Sequence, residues 1–325
     1  SWRVYAVRET ISPAVSASQS TNPPGNIVSA GSGNWSSTVP NAPWPGGVIP
    51  TSTDNVTIAD GQTVTIDIAA VAYSLTVGQG TSGVLQYEQT TARTLTVGDN
   101  VTIANGGTFQ SNPAGTVTTH ALSIGGNLIN NGTLDFSTNG NTAGAGITFT
   151  GTANNTFSGT GATTDIRTLT INKGTSSATI LELMPSNLTV QGTTIDGTPM
   201  GFVTLTNGTL KISGTYTIAS RLFSTAGYTI GATTGLWLNN PNLTVAGQNG
   251  SPTVGGLLRI TQGTLNIGTS TGNSTGFSAG STIIVEGGAV NAAGRFGVAA
   301  AANAITYTQT AGTITVCTVG NASTT

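Results

Sequence analysis

The sequence predicts an all-β chain: a right-handed parallel β-helix, a solenoid of about ten to eleven coils, with an extended N-terminal arm. Three observations predict it. The first is a short phrase of glycine, one spacer and an apolar β-former, returning between residues 61 and 316 at intervals of roughly 25 residues. It reads Gly107-Thr108-Phe109, Gly132-Thr133-Leu134, Gly208-Thr209-Leu210, Gly263-Thr264-Leu265, Gly288-Ala289-Val290 and Gly312-Thr313-Ile314, with looser copies at Gly61, Gly83, Gly159 and Gly235. The second is period-two alternation inside each copy, as in Thr94-Leu95-Thr96-Val97 and Leu122-Ser123-Ile124. The third is composition: charged residues are 6% of the chain, against roughly 25% in an average soluble domain, and no stretch holds a helical apolar face.

A coil this short cannot bury its own apolar face, so the copies must stack into a rod. Gly98-Asp99-Asn100, Asn105-Gly106-Gly107 and Gly125-Gly126-Asn127 supply the corners, where positive φ is needed. A propeller blade needs about 40 residues, and a sandwich needs no fixed period, so the parallel β-helix fits the spacing best. Disorder is the competing reading of a Gly-rich chain, but a hydrophobic fraction of 37% that alternates with Thr argues against it.

Taken from the N-terminus, residues 1 to 30 read as arm and linker and residues 31 to 325 as the rod. The arm opens with a strand-like segment, Ser1 to Ile11, in which Trp2, Val4, Tyr5, Val7 and Ile11 are the candidate contacts to a neighbouring subunit. Within the rod, Asn105, Asn131 and Asn207 beside the turn glycines are candidates for stacking or are simple turn residues. Leu181 to Met200 and Asn239 to Gly256 lose the phrase and read as lateral loops, through Pro185, Pro199, Pro241 and Pro252. Such loops either carry ligand contacts or only cover a sheet face. Cys317 reads as a small residue packed in the last strand, with an intermolecular disulfide as the alternative. The repeat runs to Val319, so Val316 and Val319 are candidate contacts at a coil end without a visible cap, and such an end invites another strand.

The stretch Trp35, Trp44-Pro45-Gly46-Gly47, Pro50, Asp54-Asn55-Val56-Thr57-Ile58, Gly61 and Val64-Thr65-Ile66-Asp67 resembles the opening motif of exported bacterial parallel β-helix surface proteins, adhesin-like repeat proteins of the type nine secretion style. The resemblance is close over about residues 33 to 70 and stylistic beyond. It implies an extracellular, cell-surface or secreted location. Trp35 and Trp44 read as an end cap or as a glycan platform, and Asp54 as the cap of the turn before a strand. The absence of an initiator Met at Ser1 accords with a processed, exported chain.

Chemistry is sparse. The eleven acids are spread thinly, with no Asp-Asp or Asp-x-Asp pair, and adjacent coils are not expected to bring two acids to the same phase except around Asp60. Asp165 and Arg167 read as an exposed ion pair. His120 is the single histidine and has no Cys or Asp at its phase, so neither a dyad nor a zinc site is expected. No catalytic residue, metal or cofactor is expected, and the chain reads as no enzyme. Nine scattered basic residues and a net charge of -2 leave no stripe for nucleic acid, and no apolar run is long enough to span a bilayer. The sequence thus predicts a structural subunit of a filament or matrix, assembled head to tail as a homopolymer by strand addition from the arm. The alternatives are a monomeric adhesin that binds a polysaccharide or cell surface, and, third, a polysaccharide lyase or hydrolase.

Overall fold

A computed structural model of the chain describes residues 25–137, 142–190, 201–218 and 221–319. Val, Ile, Leu and Thr alternate over three to five residues and then meet Gly or Asn, so the chain makes short strands and turns, and each strand finds its partner one coil away. Every ladder is parallel, from Gly25–Val28 on Asp54–Ile58 to Thr282–Ala292 on Thr306–Thr315. The result is a parallel β-solenoid of about eleven turns. The only helix among the described residues is a single 3₁₀ turn, Pro45–Gly47.

The strands stand in columns. The first face begins with Gly25–Val28, Asp54–Ile58, Ser74–Val77 and Val101–Ile103; the second runs from Gly33–Asn34 to Thr189–Val190; the third starts at Ala70–Ala72 and includes Thr168–Asn172. From Val203–Ile212 onward the strands lengthen to ten to twelve residues and bend across a corner, with a column of short strands from Thr229–Ile230 to Phe296–Val298 opposite. Because side chains alternate and registers match, apolar residues stack coil upon coil. Val56, Leu75, Val101, Leu128, Phe157, Leu183, Ile212, Leu238, Ile260 and Val285 are successive partners and all are buried. Burying each such side chain contributes about 1.5–3 kcal/mol, so stability accumulates along the axis.

The repeated phrase marks corners. Gly107-Thr108-Phe109 and Gly132-Thr133-Leu134 turn the chain into the second face, whereas Gly208-Thr209-Leu210 turns it into the first, since Leu210 pairs with Leu181. One motif thus serves two corners, because either needs a tight bend followed by an inward apolar residue.

Several expectations are corrected. The segment read as a loop from Leu181 forms the strand Ile180–Pro185, in which Pro185 is the last residue and the next amide, Ser186, bonds to the Gly159 carbonyl at 2.9 Å. Residues 191–200 lie outside the described residues. The second supposed loop is strand over its first seven residues, the end of Thr234–Val245, and again at Thr253–Val254, while residues 246–252 between them are loop as expected. Pro241 falls where the register shifts, and Asn240 supplies the bonds the bulge loses, donating to Tyr216 O and accepting from Asn242 N. Cys317 is exposed, two residues past the strand Thr306–Thr315, at φ 53°. The first described coil starts at Gly25, before the expected boundary at residue 31.

Candidate functional site

Trp35 and Trp44 sit edge to face with ring centroids 4.9 Å apart, and Trp44 Nε1 donates to the Trp35 carbonyl at 2.7 Å. Both are fully buried in the core, so neither offers a ring face to a sugar, and the glycan-platform reading of this pair is corrected. Asp54 closes the turn ahead of its strand, accepting from Thr51 N at 2.8 Å and Thr51 Oγ1 at 2.6 Å. Val316 and Val319 are exposed. Trp2, Val4, Tyr5, Val7 and Ile11 lie outside the described residues.

The acids are not all isolated. Asp135 and Asp165 are register partners on the second face, two carboxylates side by side on adjacent coils, contrary to expectation. Burial raises the Asp135 carboxyl, opposed by its bond from Ser137 N. Arg167, read as part of an exposed pair, is buried at the corner after Thr163–Ile166. Asp60 clamps the next coil by accepting from Gln79 N, Thr81 Oγ1 and Ser82 N, and the Thr81 bond leads in holding its carboxyl below the ordinary range. His120 stacks on Tyr87 at 4.6 Å between centroids, with Nδ1 accepting the Arg93 amide at 3.0 Å. Burial is the main cause that holds its imidazole below the ordinary value. No group of three His, Cys, Asp or Glu suited to a metal ion occurs among the described residues.

The most concentrated polar chemistry lies on the outside of the first face. One outward row runs along the rod, and its early rungs are amides and hydroxyls: Asn55 Nδ2 donates to Asn26 Oδ1 at 3.0 Å, and Asn127 Nδ2 to Asn100 Oδ1 at 2.9 Å. Beyond Thr156 the same row becomes Glu182, Lys211, Trp237 and Arg259, each the register partner of the last. Lys211 Nζ bonds to Glu182 Oε1 at 2.8 Å and lies 4.4 Å from the Trp237 ring centroid; Arg259 Cζ lies 3.9 Å from it. Arg259 then forks onto Glu286 of the next coil at 2.7 and 3.1 Å. The indole Nε1 donates to Thr261 Oγ1 at 2.9 Å. Burial alone would raise the Glu182 carboxyl, but bonds from Lys211 and Ser213 outweigh it and hold it below the ordinary range.

This strip is a continuous chain of two acids and two bases with an indole at its centre, flanked by cations from both neighbouring rungs. Each of its two bases is paired with a glutamate. A groove of about 170 Å³ opens beside it, lined by Asn154, Asn155, Thr156, Ile180, Glu182, Lys211 and Trp237. Reading the sequence by local motif missed these residues. Their signal was periodic: each falls one coil after the last, at the phase of the first face. The expected Asn stacking is partly relocated. Asn207 bonds to Asn172, while other Asn pairs form at Asn26–Asn55, Asn100–Asn127 and Asn266–Asn291.

No protein-family model matches the chain, and no curated protein or solved structure is significantly similar to it. No helix among the described residues is long and apolar enough to cross a membrane.

Proposed function

We propose that the chain is an extracellular structural rod, a subunit of a filament or matrix joined head to tail, with the N-terminal arm adding a strand to the neighbouring subunit. One observation carries this reading. Among the described residues the ten-residue strand Thr306–Thr315 pairs only with Thr282–Ala292, while Tyr307, Val316 and Val319 stand exposed around it. An edge of that length with an apolar rim templates a further parallel strand, and where the added strand comes from a neighbouring subunit the contact is heterologous and propagates. Negative-stain microscopy of the whole chain beside one lacking residues 1 to 24 tests it. Fibres that vanish on deletion support the proposal; short rods of equal length from both refute it.

A second reading, a surface that binds a polysaccharide, is favoured by the strip of Glu182, Lys211, Trp237, Arg259 and Glu286 and the groove beside it. Sugar hydroxyls would meet carboxylate, amide and cation edges there, and the hydrophobic edge of Trp237. A glycan array probed with the chain and with Trp237→Ala decides it: binding that the substitution abolishes supports this reading, and no binding by either removes it.

A further inference from the structure

Lys173 presents an unusual arrangement. Its side chain is fully buried, and no carboxylate bonds to it among the described residues. Its Nζ donates to the Thr150 carbonyl at 2.7 Å and to the side-chain oxygen of Asn155, which is itself 8% exposed. An unpaired buried ammonium is costly, and this chain pairs Arg93, Lys211 and Arg259 with glutamates near the surface, so a lysine enclosed by neutral oxygens calls for a reason. Burial pushes its pKa down to about 8, which leaves an appreciable fraction as free amine near neutral pH.

The surroundings hold the two groups together. Lys173 N bonds to Asn207 O at 2.9 Å on one side, and Gly174 N bonds to Gly151 O at 2.8 Å on the other. Lys173 therefore sits at the corner after Thr168–Asn172, pinned between coils, and reaches across to the corner before Asn155–Gly159. An amine fixed against a carboxamide has the high effective concentration that makes slow bond formation feasible.

We infer that Lys173 and Asn155 become joined by an intramolecular isopeptide bond that staples two adjacent coils. The free amine Nζ attacks Asn155 Cγ, and the Nζ–Cγ bond forms. The Cγ–Nδ2 bond breaks, and the proton given up by Nζ leaves with Nδ2 as ammonia. No oxidant or cofactor is required. Asn155 lines the groove beside Glu182, Lys211 and Trp237, which gives the ammonia a way out. With no carboxylate bonded to either partner among the described residues, the proton passes directly between the two nitrogens, so the reaction is slow and speeds up as the amine deprotonates above pH 8.

The test is intact-mass measurement and peptide mapping of the whole chain, fresh and after ageing above pH 8. The expected result is a chain lighter by one ammonia and a branched peptide joining the segments that carry Asn155 and Lys173, with no tryptic cleavage after Lys173. Lys173→Arg and Asn155→Ala should each restore the full mass; the wild-type map stands on its own if either variant fails to fold. Three outcomes would overturn the inference: full mass with Lys173 recovered free after ageing, an ammonia loss mapped to Asn105, Asn131 or Asn207 ahead of their glycines, or a loss that hydroxylamine cleaves as it does a succinimide.

Discussion

Replacing Gly288 by alanine separates the two demands that a solenoid corner makes on its residue. Gly288 has φ 63°, and a Cβ there would stand 2.4 Å from the carbonyl oxygen of Gly263 in the coil below. Gly61 shares the backbone conformation, φ 76°, but a Cβ would meet nothing within 4 Å; at Gly297 there is neither left-handed φ nor a neighbour within 4 Å. A non-glycine residue in the left-handed region costs about 1–2 kcal/mol. Pushing the packed Gly263 backbone aside adds about 1–3 kcal/mol, and the stiffer unfolded chain returns about 0.4–1 kcal/mol. Gly297→Ala should therefore stabilise slightly, Gly61→Ala should cost about 1 kcal/mol and Gly288→Ala about 2–4 kcal/mol. Urea midpoints followed by far-ultraviolet circular dichroism give the order, and hydrogen exchange in Thr282–Ala292 locates the damage, since a repeat array need not unfold as one unit. A Gly288→Ala loss no larger than that of Gly61→Ala would show that coil contact plays no part and refute the reasoning.

His120 predicts a pH dependence. Its folded value lies below the unfolded one, so on acidification the unfolded chain binds the proton first. Stability is lost as pH falls below the ordinary imidazole value of about 6.5, at up to about 1.4 kcal/mol per unit. Urea midpoints at pH about 7.5 and about 5 should differ more for wild type than for His120→Phe; equal slopes would reject the assignment. Lys211 and Trp237 should show a coupling of about 0.5–1 kcal/mol in a double-mutant cycle on stability, and a cycle that closes additively would mean that the cation over the indole contributes nothing. Trp44→Phe leaves the Trp35 carbonyl without its buried donor and should cost about 1–3 kcal/mol in thermal or urea unfolding, whereas an unchanged midpoint would show that this bond contributes nothing to stability.

The interior was legible because its chemistry repeats locally. Leu95, Leu122 and Ile147 alternate with polar neighbours in the sequence, and they stack in the fold at that same alternation. Proline misled where it stood at a strand end, as Pro185 does, or in a bulge, as Pro241 does. There the missing N–H costs nothing, because the ladder is already interrupted or continues through the next residue. The outer strip was not legible by motif, since Glu182, Lys211, Trp237 and Arg259 are no neighbours until coils stack. The buried Lys173 was equally hidden: no spacing rule tells which residue turns in at a corner.

The sequence by itself determined the all-β solenoid, its coil length and its apolar ladders, because alternation and turn glycines act over a few residues and each coil repeats the instruction. The tertiary structure alone decided which side chains become neighbours across coils. That choice depends on the register between strands far apart in the chain, where one residue more or less at a corner moves a side chain to another rung or another face. Asp135 beside Asp165, Trp237 between Lys211 and Arg259, and Lys173 against Asn155 are all products of that register.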